Sequence, residues 1–324
     1  MSERELYIAL NLIPKLGSVR IKNLVYEVKS YELFLRTERE TFLHIPGINR
    51  NICDTIIEYR QRVNPYIEID KAERLGVKIV TLCDPEYPNL LKNIYDPPPV
   101  LYMKGNLSIL DYQAIALVGT RKATFYGKSV AMKLAKGLAE NKINVVSGMA
   151  RGIDSYAHKG ALEAGGPTTA VLGCGLDIVY PPENVKLAEK ICESGCLLTP
   201  FPIGTKPLAT NFPARNRIIS GLSLGTVVIE AAEKSGSLIT ADFSLEQGRE
   251  VFAVPGSIMS PYSRGPHKLL KQGAKLVESV DDIIEELNLN MMSVKNKCTN
   301  AIEQHLSQEE SAVLSLIDYE PTSV

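Results

Sequence analysis

From residue 114 onward the chain shows a regular alternation. The apolar runs AIALVG, INVVSG, TTAVLG, TVVIEA, EVFAVPG and AKLVES recur at strand length, and helix-like stretches such as 127–140 and 153–164 separate them. The runs are mostly continuous rather than alternating, as expected for strands buried on both faces. Strands alternating with helices predict an α/β fold, a Rossmann-like, doubly wound, mostly parallel sheet over 114–290. The segment before it has another rhythm. In 1–64, apolar clusters at Ala9–Ile13 and Leu33–Leu35 lie between charges. Turns at Lys15-Leu16-Gly17 and Ile45-Pro46-Gly47 each open a further helix, over 19–28 and 50–62. IPKLGSVRIKNL and HIPGINRNICDTI thus read as two helix-hairpin-helix units of a small all-helical (SAM-like) domain. Their turns suit either packing or a DNA phosphate.

Between these parts, 65–113 reads as an extended lead-in packed on the core domain. It has β-rich pieces at 77–82 and 100–103 and a loop stiffened by Pro97, Pro98 and Pro99. The end, 291–324, is an acidic tail in which Ser307 and Glu310 form a capping box for one short helix.

Composition narrows the class. No apolar run approaches the roughly 20 residues needed to span a membrane, and the N-terminus lacks a signal-peptide core. Six scattered cysteines contain no CxxC pair, and Cys192 and Cys196 have no second pair beside them to complete a zinc site. Reduced thiols, a cytoplasmic location and no metal are the expectation. The net charge of −1 hides an asymmetry. Eight Lys or Arg against two acids in 119–160 leave +6, whereas ten acids against two lysines in 278–324 leave −8. Lys133 and Lys136 belong to a solvated helix face, but Arg121 and Arg151 stand in glycine-rich loops.

In a doubly wound sheet, ligands bind beyond the carboxyl ends of the strands. The loops there are GTRKATFYG, SGMARGID, GCGLDIVYPPEN, EAAEKSGSLITA and PGSIMSPYSRGP. Their glycines admit backbone amides to an anion, and following helices add positive dipole ends. Residues 211–217, NFPARNR, bring Arg215, Asn216 and Arg217 together just ahead of a short apolar helix, with no acid before Gly225. Paired guanidinium forks without a carboxylate suit phosphate. Arg121 and Lys122 occupy positions where a dinucleotide fingerprint needs glycine, and no Walker lysine is present, so neither NAD nor ATP is expected as cofactor. Catalytic groups are sparse. Glu230, at a strand end, is the one carboxylate placed to act as a base; Asp154 and Asp177 suit loop-tying, and His158 and His267 suit packing or surface positions.

As a set, GTRKATFYG, SGMARGID, AVLGCGLDIVYPPEN, NFPARNRIISGLS, SGSLITADFSLEQGR, VFAVPGS and GAKLVES, in this order, closely resemble the DprA (Smf) family of DNA-processing proteins. The resemblance is strong over 77–287 and looser in the helical N-terminus. It implies a protein that binds single-stranded DNA in a basic pocket of the Rossmann-like domain, forms homodimers, and hands the strand to the RecA recombinase during natural transformation, without covalent chemistry. By motif, it implies phosphate contacts from Gly119, Arg121, Lys122, Ser147, Gly148, Arg151, Lys206, Arg215, Asn216 and Arg217, with Ser235, Ser237 and Thr240 as hydroxyl donors. The chain departs from the family at Thr199-Pro200, where Ser-Glu is frequent, and at His267, where Asn is frequent. It also stops after HLSQEESAVLSLI, which resembles the first helix of the winged-helix domain that ends many members. A rival enzyme reading comes from GTVVIEAAEKSGSLIT, which is distantly similar to nucleotide phosphoribohydrolases of the lysine-decarboxylase-like group. There Glu230 would act near a ribose.

Overall fold

One nine-stranded sheet organises the computed structural model, which describes residues 3–289. The acidic tail and the capping box at Ser307 and Glu310 lie outside the described residues. The strands are β1 (Lys78–Thr81), β2 (Val100–Gly105), β3 (Ala114–Val118), β4 (Asn144–Ser147), β5 (Thr168–Val171), β6 (Cys196–Thr199), β7 (Gly225–Val228), β8 (Glu250–Ala253) and β9 (Lys275–Leu276). They run in the order β1-β2-β6-β5-β4-β3-β7-β8-β9. From β6 to β9 all pairings are parallel, while β1–β2 and β2–β6 are antiparallel. Strand order therefore advances from β3 to β6 in one direction, with β2 and β1 beyond, and from β7 to β9 in the other. The reversal between β3 and β7 is a topological switch point, where such sheets leave a crevice. The doubly wound, mostly parallel fold expected from the apolar runs is the fold observed.

Two apolar layers cover the sheet, and the period of two decides which side chain enters which. In β3, Ala114, Ala116 and Val118 face one layer and Ile115 and Leu117 the other. In β8 and the residue after it, Val251 and Ala253 alternate with Phe252 and Val254. The second layer contains α8 (Phe125–Glu140), α9 (Ile153–Glu163) and α14 (Val280–Glu286). The first contains residues of α10 (Val185–Ser194), α11 (Asn211–Gly221), α12 (Gly236–Glu246) and α13 (Arg264–Lys271). It also takes in the N-terminal helices α1 (Glu3–Asn11), α2 (Ser18–Val28), α3 (Tyr31–Arg36), α4 (Arg39–His44) and α5 (Arg50–Tyr59). Leu6, Ile8, Leu10, Phe34 and Phe42 are fully buried there.

Three local outcomes differ from the sequence reading. Residues 65–74, read as the start of an extended lead-in, form helix α6 (Pro65–Arg74). Its start is well specified: the Asn64 side chain accepts from the Tyr66 amide at 3.0 Å, and Pro65 occupies the first turn. Strand β6 has no counterpart in the sequence reading, because its apolar run, CLLT, is only four residues long. The Arg215–Arg217 segment does not precede a helix. It lies inside α11, which already begins at Asn211. A short helix, α7 (Asn89–Lys92), sits between β1 and the Pro-rich loop.

Candidate functional site

The crevice at the switch point holds a cleft of about 670 Å3. The loop after β3 supplies Gly119, Thr120 and Arg121, the loop after β7 supplies Lys234 and Ser235, and the start of α12 supplies Gly236, Ser237 and Thr240. Helix α11 adds Phe212, Arg215 and Asn216, and Ala150, Asp154 and Tyr180 complete the wall. A smaller recess beside it is lined by Gly148, Arg151, Gly173 and Cys174 together with Arg121, Phe212 and Arg215.

Two parts of the cleft wall carry groups suited to an anion. On one, α12 begins at Gly236, and the Ser235 side chain caps it by accepting from the Ser237 amide at 3.4 Å. The Ser235 and Ser237 hydroxyls lie 2.8 Å apart. The positive end of the α12 dipole and the cationic Lys234 favour an anion, while the Ser235 amide is bonded to Ala232 O at 2.9 Å. On the other, the Arg121 guanidinium lies 5.3 Å from the centre of the Phe212 ring. Tyr180 packs against the same ring at 5.8 Å. The cleft can therefore offer a phosphate both an arginine fork and a helix N-terminus, with an aromatic surface between.

Arg215 forms the floor. It is only 4 % exposed, and Nη1 donates to Gly148 O at 2.7 Å and also to Val171 O, while Nε donates to Asn216 Oδ1 at 3.2 Å. Burial draws its pKa down to about 10, with Asp154 opposing the fall. Asp154 accepts from the Gly148 and Ala150 amides at 3.2 and 3.3 Å and so ties the β4–α9 turn. Burial raises its pKa, and Arg215 counters that rise. Gly148 has no room for a side chain, because a Cβ there would collide with the Arg215 guanidinium. Behind this layer His158 is fully buried, with Nδ1 2.7 Å from the Thr168 hydroxyl. Burial, with a smaller contribution from Arg215, lowers its pKa to about 3.

The structure thus brings Gly119, Arg121, Arg215, Asn216, Ser235, Ser237 and Thr240 to one cleft, and Gly148 and Arg151 to the adjoining recess. Arg151 is ion-paired there with Glu183, Nη2 to Oε2 at 3.1 Å. Other residues expected at the site are placed elsewhere. Ser147 is fully buried and its hydroxyl donates to Leu117 O at 2.6 Å, bridging β3 and β4. Lys122 and Lys206 are exposed but line neither cavity. Arg217 also lines neither; its Nη1 pairs with Asp96 Oδ2 at 2.7 Å and its Nη2 donates to Ser18 Oγ at 3.1 Å. Glu230 is buried and accepts from the Thr124 amide at 2.9 Å and the Thr124 hydroxyl at 2.5 Å, anchoring the start of α8. Asp177 accepts from the Gly204 amide at 2.8 Å and ties a loop.

Thr120, Tyr180, Lys234 and Gly236 also line the cleft, although sequence reasoning did not single them out. Lys234 stands in a Gly-Ser loop already visible as a phosphate loop. Its importance follows only once β3 and β7 are known to be neighbours, which a single sequence does not reveal.

Comparison with known proteins agrees with this architecture. Residues 78–288 match the family model described as DNA recombination-mediator protein A. The DNA processing protein DprA of Bacillus subtilis is 48% identical over 213 residues, covering 65% of this chain and 72% of that protein. The X-ray structure of DNA processing protein A from Streptococcus pneumoniae superposes with a TM-score of 0.77 at 35% identity, covering 88% of this chain and 98% of that one. A Helicobacter pylori DNA processing protein A structure, described by its single-stranded DNA binding mode, matches with a TM-score of 0.59 at 31% identity over 65% of this chain and 96% of its own. With its switch-point cleft and this degree of likeness, the chain belongs to the DNA recombination-mediator protein A family.

Proposed function

We propose that the switch-point cleft binds the backbone of single-stranded DNA, and that the protein works by binding rather than by covalent chemistry. One observation carries this reading: Arg121 on the Phe212 ring, Lys234 and the first residues of α12 all line one cleft. A phosphate would sit near Arg121, Lys234 and the start of α12, and a base would stack near Phe212 and Tyr180. Such aromatic surfaces reach bases that are not stacked within a duplex, which favours a single strand over a double one. The Helicobacter pylori relative, described as binding single-stranded DNA, supports the same assignment. Phosphate contacts position without specifying sequence, so preference among sequences should be slight.

The finer part of the proposal is that the protein acts as a homodimer and delivers its strand to RecA. The resemblance to the family supports it. Titrating labelled oligo-dT and a duplex of equal length tests the binding, alongside the mass of the protein in solution. RecA filament assembly on oligo-dT, with and without the protein, tests delivery. Tighter binding of duplex than of single strand would refute the assignment. The committed hydrogen bonds of Glu230 to Thr124 speak for an anchoring role rather than for a general base in a phosphoribohydrolase.

A further inference from the structure

Arg217 lies two positions after Arg215, yet the two side chains serve different surroundings. On a helix, two residues are separated by roughly 200°, so α11 cannot present both guanidinium groups to one ligand. Arg215 and its neighbour Asn216 reach the cleft, and the Asn216 amide also donates to Gly236 O at 3.2 Å, joining α11 to the start of α12. Arg217, largely buried, turns to two segments far away in sequence. It pairs with Asp96 in the Pro-rich loop at 2.7 Å, donates also to the Asp96 carbonyl, and donates to Ser18 at the start of α2 at 3.1 Å. Its own carbonyl accepts from Gln247 Nε2 at 3.0 Å. Nearby, Gly221 at the end of α11 lies so close to Leu91 that a Cβ would meet that side chain at 2.7 Å. The far side of α11 is thus fixed at Arg217 and again at Gly221.

We propose that Arg217 is a positioning residue: by clamping Asp96 and Ser18 it sets the placement of α11, and so holds Arg215 and Asn216 in the cleft without itself touching the strand. The inference rests on the reading of the cleft as a single-stranded DNA site. It differs from a phosphate-contact role in a measurable way. A residue that contacts phosphate releases a counterion, so its removal flattens the dependence of affinity on salt. A positioning residue weakens binding and leaves that slope as it is. Asp96 sharpens the contrast, because removing an acid should by charge alone tighten binding to a polyanion.

The test is oligo-dT affinity across a salt series for Arg217→Ala, Arg217→Lys, Asp96→Ala and Arg121→Ala, each measured well below its own thermal midpoint. Arg217→Ala and Asp96→Ala should each weaken binding, roughly two- to thirtyfold, with the parent's slope. The double variant should be no weaker than Arg217→Ala alone, since that change already removes the pairing with Asp96. Arg217→Lys keeps a cation for Asp96 and should recover most of the affinity. Arg217→Ala should also be non-additive with Asn216→Ala, on the same helix, whereas a general loss of stability would be additive with it. A slope flattened by about one phosphate contact in Arg217→Ala, or Asp96→Ala binding as tightly as the parent, would overturn the positioning role. Should Arg121→Ala bind like the parent, the reading of the cleft itself fails, whatever Arg217 does.

Discussion

The guanidinium of Arg121 lies 5.3 Å from the centre of the Phe212 ring, and that of Arg215 lies 5.9 Å from it. One aromatic side chain thus sits between two cations drawn from different elements, the β3 loop and α11. On the proposed function, Phe212 has two tasks, to orient Arg121 and to offer a stacking face. Phe212→Ala should weaken oligo-dT binding by about 1–3 kcal/mol, and Phe212→Leu should recover only part of that, since it fills space without a π-face. Fluorescence anisotropy would measure both. Equal affinity in Leu and parent would show that the ring serves only as packing.

Glu230 ends the β7 segment by holding Thr124, which in turn caps α8 by accepting from the Gly127 amide at 3.1 Å. Glu230→Gln removes the charge that strengthens both bonds from Thr124 and should lower stability by about 1–3 kcal/mol, seen as a reduced thermal midpoint. Its binding to oligo-dT should keep the parent's salt slope. Sustained release of free base from nucleoside monophosphates by the parent, lost in Glu230→Gln, would instead support the phosphoribohydrolase reading.

Much of this was legible in the sequence, and the reasons are local. Strands β3, β4 and β5 announce themselves as continuous apolar runs, and the loops after them are rich in glycine, so sheet class and phosphate loops follow from pattern alone. Residues 211–217 were harder. The motif NFPARNR lists three polar side chains in a row, but helical geometry sends Arg215 and Asn216 to the cleft and Arg217 to Asp96 and Ser18. Asp96 lies 121 residues earlier, and nothing local signals that contact. Ser147 shows the same limit: its position in a Gly-rich loop motif suggests a ligand contact, while its register in β4 turns the hydroxyl to Leu117.

His158 should make stability fall on the acid side. Its folded pKa, about 3, is depressed below the ordinary 6.5 by burial. Between those values the unfolded chain binds a proton that the folded one refuses, so stability is complete above pH 6.5 and is lost as pH falls toward 3. Relative to His158→Gln, the parent should lose about 1.4 kcal/mol per pH unit across that window. Thermal midpoints of both proteins at pH 7, 6, 5 and 4 would show it. Parallel curves would contradict the buried, neutral histidine.

Phosphate binding by Arg121 and Lys234, which both line the β3–β7 cleft, is the proposal on which the rest depends. Its most direct test is the salt dependence of oligo-dT binding in the parent, Arg121→Ala and Lys234→Ala. Binding should be weaker in both variants, with the log–log slope flatter by about 0.7 for each lost contact. Unchanged affinity and slope in both would contradict it.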